Sequence, residues 1–288
     1  MATIRNPVEW SMDRLRRASR HTASIGRSIQ GSQTAASTRP EVRKLTTDDV
    51  WTALKRGFED FQAFRTDVLF LCLIYPLIGI VLAWSTFHYR ALPLLAPMAF
   101  GFALLGPIAA VGLYEMSRRR EQGKSVSWVE AFALVRSPSF GAIVVVALIL
   151  LGVFLAWLTA AQMIYQATLG PEPPASVAQF IEDVFTTRAG WTMMLAGDLV
   201  GFLFAVLVLS VSVITFPMLL DRNVGAGTAM ATSLRVVMKN PVTMATWGLV
   251  VAGGLFVGML PLFLGLIIVM PVLGHATWHL YRLAVAPE

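Results

Sequence analysis

Apolar runs of bilayer length, bounded by charge, proline or glycine, predict six membrane-crossing helices in this chain. They fall at about 68–87, 92–114, 140–163, 192–220, 242–259 and 262–283. In the second run Pro93 and Pro97 suit an entry turn, whereas Pro107 lies deep inside and is expected to kink the helix by removing a backbone donor. The fourth run is long enough to tilt or to extend past the hydrocarbon, and only Asp198 interrupts it. Between Lys239 and Arg282 there are 42 positions without a formal charge, about twice one crossing. That stretch is read as a hairpin turning at Pro261, with a further break allowed at Pro271.

The polar segments carry a second, helical periodicity. Val50, Trp51, Leu54, Phe58 and Phe61 recur on one side of 46–65, and Asp48, Asp49, Lys55, Arg56, Glu59 and Asp60 occupy the other. This predicts an amphipathic helix ahead of the first span. Ser127 and Glu130 make a capping-box pattern before Trp128, Phe132 and Val135, and the unit closes on Arg136, Ser137 and Pro138. Residues 228–238 set Met230, Leu234 and Val237 on one face and end in Lys239, Asn240 and Pro241. Each unit is a surface helix, a basic residue and entry into the next span, which together read as a weak threefold repeat of helix pairs.

The chain divides into three regions: a basic tail over 1–45, the amphipathic helix over 46–67, and a bundle over 68–288. In the tail Arg14, Arg16, Arg17, Arg20, Arg27 and Arg39 succeed one another without an acid. Disorder is the plain expectation, and contact with anionic headgroups or an organellar transit peptide are the alternatives. No signal-peptide hydrophobic core precedes the first span, so the tail is expected to stay on the chain.

Composition places the chain in the membrane class. Apolar residues make up 56% and charged residues 14%, with a mean hydropathy of +0.66, against roughly one-quarter charged residues in soluble domains. The fold class expected is all-α, a polytopic helix bundle. Lys and Arg set its orientation, because cytoplasmic segments retain them. With the N-terminus inside, 21 of the 23 basic residues fall on the cytoplasmic side and only Arg90 and Arg188 outside. Both termini are then cytoplasmic, the basic pI is a consequence of topology, and nucleic acid is not needed as a partner. Cys72 is the one cysteine, which excludes an internal disulfide and a multi-cysteine metal site.

Residues 45–51 (LTTDDVW) with Phe58 to Phe61, 101–119 (GFALLGPIAAVGLYEMSRR), 216–222 (FPMLLDR) and 261–281 (PLFLGLIIVMPVLGHATWHLY) together resemble an integral membrane family, domain of unknown function 2189. The resemblance runs from about Leu45 to Arg282. It implies a multi-pass protein of the bacterial inner membrane without an assigned activity, although some members carry the label cytochrome c oxidase subunit I. A haem-copper core requires histidines on several facing helices. This chain has four histidines; His21 lies in the tail and His88 after the first span, so the label fails on ligand count.

Candidate chemistry is sparse. His275 and His279, at i, i+4, share one face near the inner end of the sixth span. Glu115 and Asp221 lie at similar depth, so a two-histidine, two-carboxylate metal site is conceivable. The simpler reading makes Trp278 and Tyr281 an interfacial aromatic belt around the histidines and pairs Glu115 with Arg118 and Asp221 with Arg222. Asp198 is costly inside a span and faces a polar partner, a hydrated cavity or a transport path. Gly197 and Gly201, like Gly254 and Gly258, form GxxxG patterns that permit close helix packing. No triad, P-loop, dinucleotide or HExxH motif occurs, so neither an enzyme nor a cofactor is expected. Three function classes remain. The first is a structural or accessory protein acting on the lipid bilayer, on another membrane protein or on a second copy. The second is a small-solute carrier or channel using Asp198, and the third a metal-binding protein using His275 and His279.

Overall fold

The computed structural model describes residues 40–64, 84, 92–124, 126 and 137–287, and every named element among them is helical. In chain order these are α1 (Thr47–Ala63), a 3-10 turn (Leu92–Leu94), α2 (Leu95–Leu104), α3 (Gly106–Ala109), α4 (Val111–Glu121) and α5 (Phe140–Thr168). Next come α6 (Val177–Thr186), α7 (Arg188–Ser212), α8 (Thr215–Asp221), α9 (Ala226–Lys239), α10 (Pro241–Met259) and α11 (Leu266–Ala284). The first predicted span apart from residue 84, the tail up to residue 39 and the unit at 127–136 lie outside the described residues, as do His21, Cys72 and His88.

Three of the described helices are long and apolar enough to cross a membrane: Phe140–Thr168, Arg188–Asp221 taken through its bend, and Pro241–Met259. At 1.5 Å per residue the first is roughly 44 Å long, more than the ~30 Å hydrocarbon core. Their outward sides are largely apolar, Asp198 on the second excepted, with Leu148, Leu155, Leu195, Leu199, Phe202, Leu249 and Phe256 all exposed. In a protein that spans a bilayer, lipid tails cover such residues, and this chain is an integral membrane protein with apolar helices.

The second predicted span is not one helix. It is cut at Leu105 and again at Ala110, on either side of Pro107 at the start of α3. Proline lacks the donor that would continue the ladder, and its ring presses on the carbonyl four residues back. Pro217 does the same to the fourth span, where the helix bends at Val213 and Ile214 between α7 and α8. At the bend the Ile214 N–H donates to Ser233 Oγ of α9 at 3.3 Å, so a neighbouring helix satisfies this donor. Pro271, where a break was allowed, is instead buried inside a continuous α11. The turn at Pro261 is present, and Leu262 and Phe263 adopt positive φ in it.

α1 is not a free surface helix. Pro40 to Leu45, read as the end of the tail, runs extended against the bundle with Val42 and Leu45 buried. Val42 bridges Val285, Arg43 N–H donates to the Ala284 carbonyl at 2.8 Å, and Leu45 N–H donates to Asn240 Oδ1 at 2.7 Å. Lys239 Nζ donates to the Val42 carbonyl at 2.7 Å and Thr243 Oγ1 to that of Leu45 at 3.1 Å. Thr46 and Asp49 then form the capping box that starts α1.

The buried stripe of α1 does not coincide with the apolar side that its periodicity marks. It is Val50, Ala53, Gly57, Asp60 and Phe61, while Trp51 and Phe58 are exposed. In α9 the buried face is Ala229, Thr232, Ser233 and Val236, with Met230 and Val237 at its edge and Leu234 exposed. In both helices small residues seek the bundle because the opposing backbone is close. At Gly57 a Cβ would fall 2.5 Å from the Ala276 backbone nitrogen. Gly258 lies against Leu266, its backbone nitrogen included, and Gly201 against the Trp157 ring, whereas a Cβ at Gly254 would make only ordinary contact with Val269 and Leu273 and Gly197 faces open space.

Gly57→Val is therefore expected to push α1 off α11 and lower stability by about 1–3 kcal/mol. Gly253→Ala, at a glycine with nothing near its Cβ position, should be neutral. Tryptophan-monitored thermal unfolding in detergent compares the two.

Candidate functional site

Where α1, α4 and α11 meet, polar side chains close on one carboxylate. Asp60 is 4% exposed because it lies on the small-residue stripe of α1 that faces α11. Ser117 Oγ donates to Asp60 Oδ2 at 2.6 Å, His279 Nε2 reaches the same oxygen at 2.9 Å, and Arg120 donates to Oδ1 at 2.6 Å. Arg120 also donates to the Glu59 carbonyl at 3.0 Å and lies over the Phe64 ring. His275 completes the group, its Nδ1 2.8 Å from Ser117 Oγ.

The network dictates its own protons. A serine hydroxyl has one hydrogen, and the ionised carboxylate takes it, so Ser117 must accept from His275 Nδ1–H. His275 Nε2 is buried with no partner at hydrogen-bonding distance. In the neutral ring that orphan is a lone pair, a smaller penalty than a buried unpaired N–H. Burial opposes ionisation of Asp60, but the hydrogen bonds from His279 and Ser117 outweigh it and hold the carboxyl below its ordinary range.

The histidine pair thus meets a carboxylate, though not one of those expected. Glu115 takes Arg118 at 2.8 and 3.0 Å and Arg119 at 2.9 Å. Asp221 accepts from Tyr281 Oη at 2.7 Å and from Arg282 at 3.2 Å. Arg282 bridges on to Glu121 at 3.0 Å, as does Trp278 Nε1 at 3.0 Å, and Arg222 donates to Tyr281 Oη at 3.2 Å. Trp278 and Tyr281 are fully buried and pack ring to ring at 5.6 Å, so they are core residues and not an interfacial belt. Among the described residues no group of three or more His, Cys, Asp or Glu is placed to hold a metal. Asp198 stands apart on the exposed side of α7, without a hydrogen-bond or ion-pair partner among the described residues.

Sequence reasoning missed Asp60, Ser117 and Arg120. The one available signal was Gly57, three residues before Asp60 on the same helical face as Val50 and Ala53. What the arrangement does chemically is lock three helices in register. Asp60 has no oxygen left without a donor, and a one-turn slip of α1 would strand Arg120, Ser117 and His279 together.

The family model described as a predicted integral membrane protein, domain of unknown function 2189, matches residues 94–221. The match runs from the 3-10 turn to the end of α8 and includes Glu115, Ser117, Arg120, Asp198 and Asp221; Asp60, His275 and His279 lie outside it. No curated protein and no solved structure matches the chain.

Asp60→Asn replaces an acceptor by a donor in front of His279 and is expected to cost about 3 kcal/mol, read as a lower unfolding midpoint in detergent. Acid should act on the same group. The folded carboxyl is lowered from its ordinary 3.8, so the unfolded chain takes up the proton first on acidification. Asp60's contribution is present above that ordinary value and lost as pH falls through the folded one. The midpoint gap between wild type and Asp60→Asn should therefore narrow in that acid range.

Proposed function

We propose that the protein is a non-catalytic accessory protein of the bacterial inner membrane, with six spans and both termini cytoplasmic, that acts on anionic lipid headgroups through α1. The observation that carries the reading is the exposed edge of α1. Trp51 and Phe58 remain uncovered beside the buried stripe, 60% and 46% exposed, with Lys55 next to them on the helix. The helix cannot turn these rings inward, because the segment at Pro40 to Leu45 and the Asp60 network hold it at both ends. Rings at headgroup depth and a lysine toward the lipid phosphates are the arrangement of an interfacial helix. The basic bias of the flanking segments supports the same side. Another membrane protein or a second copy could use the same edge, and nucleic acid is not required by any feature of the site.

The double variant Trp51→Ala, Phe58→Ala should fold as wild type but retain less anionic phospholipid through purification in mild detergent, read by native mass spectrometry. Equal lipid retention by the variant rejects the reading. A protein ligand lost in its place would move it to a membrane-protein partner.

A further inference from the structure

α6 lies at the opposite end of the bundle, between the far ends of α5 and α7, and its apolar arc is wider than the protein covers. Its buried edge is Val184, with Phe180 resting edge-on against Tyr165 at 6.3 Å. Beside that edge Val177, Ile181 and Phe185, at i, i+4 and i+8, are exposed. Gln179, Glu182, Asp183 and Thr186 take the remaining side.

The helix is fixed in this attitude. Ser176 caps its start, accepting from Gln179 N–H at 3.1 Å. Thr187 ends α6 and starts α7 with no residue between, accepting from Gly190 N–H at 2.9 Å and donating to the Asp183 carbonyl at 2.5 Å. Gly190 is buried, and a Cβ there would run into the Asp183 and Val184 carbonyls. The corner therefore has no slack, and the exposed stripe is a constant feature of the surface.

We infer that α6 is an in-plane interfacial helix, seated in the leaflet opposite the basic face with Val177, Ile181 and Phe185 in the headgroup–acyl boundary. Continuity identifies lipid as the occupant. The stripe runs on through Trp191, whose Nε1 donates to the Phe185 carbonyl at 3.0 Å, into Leu195, Leu199 and Phe202. Those last residues are the outward line of a helix long and apolar enough to cross the membrane, in which Asp198 is the one carboxylate before the bend. A surface that continues the lipid face of a span, with carboxylates on its far side, meets a bilayer boundary at its edge. Trp191 at the junction sits where interfacial tryptophans collect. The inference concerns the other leaflet from α1 and does not depend on what α1 binds.

The test uses the full chain with Cys72→Ala, carrying single cysteines at Val177, Ile181 or Phe185, or at Gln179, Glu182 or Thr186. These are spin-labelled and reconstituted in phospholipid vesicles. Collision with oxygen should exceed collision with a water-soluble nickel chelate at the first three positions, and the order should reverse at the other three. Nickel-dominated collision at 177, 181 and 185 would put the stripe in water, and shielding from both reagents would mean that a second copy covers it. Either result overturns the inference. Should labelling disturb folding, Ile181→Gln with Phe185→Gln provides a second reading. Amide exchange over 177–186 in vesicles is expected to quicken while α1 is unchanged, and unchanged exchange over 177–186 overturns the inference.

Discussion

The contact between α1 and α11 is made at backbone distance, and the rest of the polar end of the molecule depends on it. With no side chain at Gly57, the α1 backbone comes up against Ala276, and Asp60, one turn on, arrives between Ser117 and His279. A larger residue would hold the helices apart by about the width of a methyl group. Hydrogen bonds of 2.6–2.9 Å would then lengthen past the range in which they offset the burial of charge. Close packing and polar recognition are one constraint here. The small residues bring the backbones together, and the carboxylate then accepts from every donor within reach.

The proline breaks obey the same demand that backbone donors be satisfied. In hydrocarbon each unpaired N–H or C=O costs several kcal/mol, so a broken span persists only where another group completes it. Ser233 performs that service for the bend between α7 and α8. Trp157 Nε1 donates to the Pro97 carbonyl at 2.9 Å and so ties α5 to the start of α2. These are side chains of neighbouring helices, so the bends are properties of the bundle and not of the isolated segments. Pro271, by contrast, is buried inside a helix that stays continuous.

Much of the helix order was legible, because long apolar runs have only one physical use in a chain of this composition. The helices at 140–168, 188–221 and 241–259 lie where those runs were read, and the turn falls at Pro261. The side that each amphipathic helix buries was not legible. Periodicity marks an apolar side, and a helix turns that side inward only when its partner surface is apolar. α1 instead faces His275, His279 and Ser117, so it buries an aspartate and leaves a tryptophan and a phenylalanine outside. The histidine pair was visible from its i, i+4 spacing, but its carboxylate lies more than 200 positions away in the chain, and no local pattern marks such a pairing. Trp278 and Tyr281 were misread for the same reason, since an aromatic pair near a span end has the same spacing whether lipid or protein covers it.

Along α11 an apolar environment gives way to a polar one within a single helix. From Leu266 to Gly274 it is apolar and packs against the glycine face of α10. From His275 to Arg282 it carries two histidines, a tryptophan, a tyrosine and an arginine, and nearly all of these are buried or half-buried. Lipid could not solvate that second half; Asp60, Glu121 and Asp221 do so from three other helices. The helix is therefore held at its apolar end by packing against α10 and at its polar end by a protein-built shell. Removing α1 would expose the histidines to whatever lay outside, so the helix that looks peripheral in the sequence is part of the interior of the fold.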